Sequence, residues 1–167
     1  MNLSCSSHRS ENPPQGLTLV EVLVAVVILG IAAAVAAPNL SMWLERYTLR
    51  NAGRQLVSDL QLAKMKAVSQ GLQHRVSFDV AGKSYVIERG NSSSGSTTWV
   101  QVEPIRALAS EQSPYYAKGV SFTTNLTNDR VIFSPVGNAS PAGTVTLSTT
   151  NYQQLVTVVL TGRVRIE

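Results

Sequence analysis

Three side chains in this sequence carry charge where packing alone does not call for it: Glu21, Arg163 and Arg165. Glu21 is the only charge in "LTLVEVLVAVVILGIAAAVAA", residues 17–37. A lone carboxylate at mid-membrane costs roughly 2.5–3.5 kcal/mol on insertion scales, and less near the end of a span. A buried carboxylate that is costly alone becomes tolerable when it is paired. Arg163 and Arg165 fall in "TGRVRIE". On a strand they share one face about 6.7 Å apart, while Val164 and Ile166 face the other way. No acidic residue lies between Arg130 and Ile166, so the pair lacks a local counter-charge. Two aligned guanidiniums can grip phosphates in a way that lysines do not. The same residues also fit an ordinary strand end with solvated arginines.

Catalytic groupings are absent. No HExxH, GxGxxG, P-loop or nucleophile-elbow spacing occurs. Cys5 is the single cysteine and lies in a polar leader, which rules out an intrachain disulfide. His74, near a helix-to-strand boundary, reads as a surface residue. Asp59, Asp79, Glu88, Glu103 and Asp129 are scattered and read as a solvated surface. We expect no enzyme activity, no metal and no cofactor. The formal net charge of +4 permits an anionic partner without requiring one.

These charges have to be positioned by a short list of elements. At ~1.5 Å per residue, a helix over residues 17–37 spans roughly 30 Å, one bilayer core. One reading is a secretory signal, with "AAAVAAP" as its cleavage site, although signal cores usually run only ~7–15 residues. A second is a plain single-span anchor, which explains the length but not Glu21. A third makes Glu21 functional. Pro38 is expected to bend the helix as it leaves the bilayer. Beyond it, Leu49, Ala52, Leu56, Leu60, Ala63 and Ala67 recur at steps of three and four, one helical stripe. Arg46, Arg50, Arg54 and Asp59 lie largely off that stripe, and Gly71 is a stop signal. The helix therefore runs from about residue 18 to 70.

The remainder reads as short strands. "RVSFDV" and "SYVIER" form a hairpin around "AGK", and "TTWVQVE" follows a Ser/Gly loop. Residues 105–119 read as irregular, with Tyr115 and Tyr116 as packing or rim residues. "GVSFTT", "RVIFSPVG", "GTVTLSTT" and "LVTVVL" complete the set. The fold class is α+β: a long N-terminal helix whose second half lies on an antiparallel sheet.

The N-terminal residues "QGLTLVE" resemble the type IV prepilin motif. In that family a dedicated prepilin peptidase cuts after the glycine, here Gly16, and the new N-terminus, here Leu17, is methylated. The glutamate at the fifth mature position, here Glu21, meets the N-terminal amine of a neighbouring subunit in the filament. Leu17 replaces the usual Phe, and Gly30 and Pro38 fall where such helices often carry Gly and Pro. "VIFSPVGNASPAGTVTLSTT" and "VTVVLTGRVRIE" are similar to the C-terminal signature of the GspH/FimT group of minor pilins and pseudopilins. The resemblance implies three regions. Residues 1–16 would be a cleaved leader, 17–38 a transmembrane and filament-core helix, and 39–167 an amphipathic helix with a periplasmic β-rich domain. It also implies a single pass through the bacterial inner membrane, followed by entry into a pilus or pseudopilus beside other pilins. In the FimT branch, a C-terminal GRxR is associated with double-stranded DNA bound without sequence specificity during uptake. The residues implied for this role are Arg163 and Arg165. The secretion branch can carry a similar Gly-Arg ending, so type IV pilus and type II secretion both stay open. So does a membrane-anchored DNA-binding module outside any filament.

Overall fold

The computed structural model describes Gly16 and residues 18–167, without the side chains of residues 35–39. The chain divides into two units after Leu40. In the first unit, helix α1 (Leu19–Gln70) begins. Thr18 caps it: its Oγ1 accepts the Glu21 amide at 3.2 Å, and its carbonyl accepts the Val22 amide at 3.2 Å. Thr18-x-x-Glu21 is capping-box spacing, and a carboxylate in the first turn suits the positive end of a helix. Among the described residues no helix is long and apolar enough to cross a membrane. The described side chains break off between Ala34 and Leu40, inside the apolar segment. The bend expected at Pro38 lies outside the described side chains.

In the second unit α1 ends at Gln70, and Gly71 follows with φ +67°, the left-handed conformation that glycine adopts at low cost. Two antiparallel sheets follow. The first contains β1 (His74–Asp79), β2 (Ser84–Gly90), β3 (Trp99–Gln101), β4 (Arg106–Ala107), β6 (Arg130–Phe133) and β7 (Ala139–Ser140). Its order is β3-β2-β1-β6-β7, with β4 paired to β2. The second contains β5 (Ser121–Thr124), β8 (Gly143–Ser148), β9 (Gln153–Val158) and β10 (Val164–Ile166), in the order β10-β9-β8-β5. Alternation puts Val76, Ile87, Val131 and Phe133 inside from the first sheet. Phe122, Val145, Leu147, Val156 and Val158 come from the second. The helical stripe meets both sets. Leu49, Leu56, Leu60, Ala63 and Ala67 belong to the same core, and Ala52 packs partly buried against it. The α+β architecture with the helix on antiparallel sheets is as expected, but β4 and β7 were not. Each is only two residues long, too short to carry a periodic signal.

Two expectations about polar residues are overturned. Asp59 is buried, at 3% exposure, and not part of a solvated face. Its carboxylate accepts the Tyr85 hydroxyl at 2.8 Å and Arg106 Nε at 3.3 Å, with Gln55 one turn earlier at 3.2 Å. Arg106 is equally buried, donates to the Pro104 carbonyl at 2.8 Å and lies over the Tyr115 ring at 4.4 Å. Burial and the neighbouring Asp59 charge both push the Tyr85 hydroxyl far above its ordinary range, so it stays a donor. His74 is also fully buried, because it is the first inward position of β1, between Arg89 on β2 and Phe133 on β6. Its Nδ1 faces the Leu72 carbonyl at 3.2 Å, and burial lowers its pKa, keeping the ring neutral.

Three further acids, Glu88, Glu103 and Asp79, are paired or capping. Glu88 accepts Arg75 at 2.6 Å and Ser77 at 2.9 Å, and Glu103 bridges Lys66 at 2.7 Å. Asp79 accepts the Gly82 amide in the β1–β2 turn at 2.9 Å.

Leu56→Ala or Leu60→Ala should each cost roughly 2–5 kcal/mol, the range for a fully buried leucine. Urea unfolding followed by circular dichroism measures this. A loss under about half a kcal/mol at both would mean that the stripe is not the core contact.

Candidate functional site

The arginine pair sits on the hairpin of β9 and β10. The register pairs Val164 with Val158, Arg165 with Thr157 and Ile166 with Val156. Backbone bonds extend this ladder at both ends. Val159 N–H donates to the Arg163 carbonyl at 3.0 Å, and Leu155 and Glu167 exchange bonds at 2.9 and 3.1 Å. Arg163 thus lies just ahead of β10 but already in its register, and two-residue alternation puts Arg163, Arg165 and Glu167 on one face. The other face turns inward, where Val164 packs partly buried against the core and Ile166 stays exposed. Arg163 and Arg165 are both exposed, and among the described residues neither makes an ion pair. Glu167 is the nearest acid along the strand and sits on the arginine face. Arg165 lies in a row with Thr157 and Thr144, whose hydroxyls are 3.3 Å apart.

The glycine before the arginines shapes this turn. Gly162 has φ +69°, and its N–H donates to the Val159 carbonyl at 2.8 Å. A Cβ there would collide with the Gly137 carbonyl oxygen. From α1, Lys64 donates to the Gly162 carbonyl at 3.1 Å, and the Leu160 carbonyl accepts the Ala139 amide at 2.9 Å. The arginines therefore stand on a turn held by both the helix and β7. Alternation points to the arginine face, but it says nothing of Gly162 or Lys64. A Thr-Gly pair between two strands was the available signal for the turn.

At the N-terminal end, Gly16 and Glu21 are exposed, and Leu17 lies outside the described residues. Glu21 makes no ion pair among the described residues. The capping bond uses its backbone amide and not its carboxylate. In the second unit, a groove of about 320 Å³ is lined by Tyr47, Thr48, Asn51, Gln55, Tyr115 and Tyr116 among others. It contains no acid, base or thiol. No group of three metal-ligating side chains comes together among the described residues.

The family described as Type II transport protein GspH matches residues 52–162, from the helical stripe to the hairpin turn. The chain belongs to the GspH family. The prokaryotic N-terminal methylation motif also matches, at residues 13–37. Among solved structures, the minor pseudopilin EpsH of the Vibrio cholerae Type 2 Secretion System superposes with TM-score 0.54 at 14% identity. The match covers 71% of this chain and 94% of that one. The type IV minor pilin FimU of Pseudomonas aeruginosa superposes with TM-score 0.55 at 19% identity, covering 75% and 92%. No curated protein sequence matches. At these identities the superpositions establish a shared fold, a helix on antiparallel sheets, and the family assignment rests on the GspH match. Family and fold are those of pilin and pseudopilin subunits, which are structural proteins.

Gly162→Ala should destabilise the domain by more than the ~1–2 kcal/mol that a left-handed backbone costs alanine, because the Gly137 carbonyl blocks the methyl. Lys64→Ala should cost less, since it removes only the bonds to the turn. Denaturant midpoints of both variants provide the comparison, and a Gly162→Ala midpoint equal to wild type would refute the steric argument.

Proposed function

We propose that this chain is a minor pilin of a type IV pilus that contributes to pilus assembly or initiation and contacts DNA during uptake. In this reading prepilin peptidase removes residues 1–16, the Leu17 amine is methylated, and residues 17–38 hold the subunit in the inner membrane. Residues 39–167 then lie in the periplasm until the subunit enters the filament. The methylation motif over residues 13–37 supports the processing and the anchor. Glu21, the one charge in residues 17–37, would pair with the amine of a neighbouring subunit and set its stagger.

The observation that carries the DNA contact is the exposed, unpaired Arg163 and Arg165 on one face of the terminal hairpin. Phosphate contacts carry no base information, so such binding is indifferent to sequence. A second reading, a minor pseudopilin of a type II secretion system, is favoured by the GspH family match and shares every feature except the DNA contact. A third, a membrane-anchored DNA-binding module outside any filament, keeps the arginines but gives Glu21 no role.

Two experiments test this. Full-length protein in neutral detergent, titrated against labelled duplex DNA at low salt, should bind weakly and lose affinity as salt rises. Arg163→Ala with Arg165→Ala should remove most of that affinity and flatten the salt slope by about 2, near one unit per phosphate contact. Unchanged binding by a folded double variant would leave the secretion reading. In cells, mass spectrometry should find the mature N-terminus at Leu17, and a bulky residue at Gly16 should leave precursor in the membrane. Glu21→Ala should insert normally but be poorly recovered in sheared filaments. A mature end near Pro38 would restore the secretory-signal reading.

A further inference from the structure

The first turns of α1 in the second unit expose a stacked aromatic pair ahead of the buried core. The rings of Trp43 and Tyr47, one turn apart, stack with centroids 5.6 Å apart and planes 12° apart. They are 59% and 54% exposed, and Met42 and Leu44 on the same turn are also exposed. The buried core begins only at Leu49. The charges on this turn are sorted as well. The Glu45 carboxylate is occupied by Asn151, through its amide nitrogen at 2.9 Å and its backbone at 3.1 Å. Arg46 is exposed, stacks on the Tyr152 ring at 4.4 Å and has no ion pair among the described residues. The accessible charge next to the rings is therefore positive.

We propose that Trp43 and Arg46 form an interfacial anchor, with the indole lodged among phospholipid headgroups and Arg46 on a lipid phosphate. This rests on the anchoring part of the reading above. Chain distance carries the argument. Trp43 follows Ala37, the last residue of the apolar segment, by only six residues. Helical side chains lean toward the N-terminus, so the Trp43 ring covers the turn before its own Cα. A tryptophan so soon after a span suits the headgroup zone, roughly 5–8 Å deep on each side of the hydrocarbon core. Indole and phenol rings, apolar with one polar edge, prefer that zone. A guanidinium can bind a phosphate through two donors at once. The anchor would hold the helix at a fixed depth until the subunit is extracted into the filament.

The test uses the full chain with Trp99→Phe, which leaves Trp43 as the only tryptophan. The protein is reconstituted in phosphatidylethanolamine and phosphatidylglycerol vesicles containing lipids brominated either near the glycerol or near the chain ends. Trp99→Tyr replaces the phenylalanine variant if circular dichroism shows that losing the Arg75 stack disturbs folding. Trp43 emission should be blue-shifted, lose most of its intensity to the shallow bromine, lose less to the deep one, and resist aqueous acrylamide. Arg46→Glu should restore access to acrylamide. Strong acrylamide quenching without bromine quenching would overturn the proposal. Resistance to both quenchers would also overturn it, in favour of a protein contact. Protein that fails to float with the vesicles would overturn the membrane reading together with this one.

Discussion

Burial of one helical stripe, from Leu49 to Ala67, is the constraint around which the globular unit is arranged. Two antiparallel sheets each turn one apolar face into the same core that the helix enters, and Phe78 of the first meets Phe122 of the second there. Two small residues late in the stripe, Ala63 and Ala67, are fully buried in that core. Lys64, next to Ala63 but off the buried face, is thereby aimed at the turn that carries the arginines. The position of the candidate site follows from helix packing, because the hairpin is tied to the same helix that fills the core.

The Asp59–Arg106 pair adds a different kind of order. Hydrophobic packing is non-directional, so a stripe of Leu and Ala tolerates small slips along its axis. A buried carboxylate that must meet Arg106 and Tyr85 together does not. Removing one partner from such a pair leaves an uncompensated charge, typically a loss of 3–5 kcal/mol, whereas a well-packed apolar replacement of both is often neutral. The pair therefore acts on register more than on net stability. Through Arg106 it also fixes Tyr115, and with it one wall of the groove over residues 47–55.

Much of the fold was legible in the sequence because local rules and tertiary structure agree there. The steps of three and four through Leu56 and Leu60 marked a face that is indeed core, and Gly71 ends the helix in the conformation glycine permits. The longer strands alternate as their sequences do. The failures are of another kind. Asp59 lies on the border of the stripe, and its counter-charge is 47 residues away, so helical spacing alone placed it in solvent. His74 looks polar, yet the first inward position of a central strand has no access to water. At the candidate site, alternation was enough to put Arg163 and Arg165 together. The reason for the glycine beside them emerged only when Gly137 was found against it.

The place of β10 in its sheet has a consequence of its own. It is the outermost strand, beside β9, so one row of its amides and carbonyls has no neighbouring strand. Open rows of this kind template the addition of foreign strands, and proteins blunt them with brevity and charge. β10 has both: three residues with Arg165 at the centre, and Arg163 directly before it. The two arginines therefore also disfavour the addition of a foreign strand along this edge.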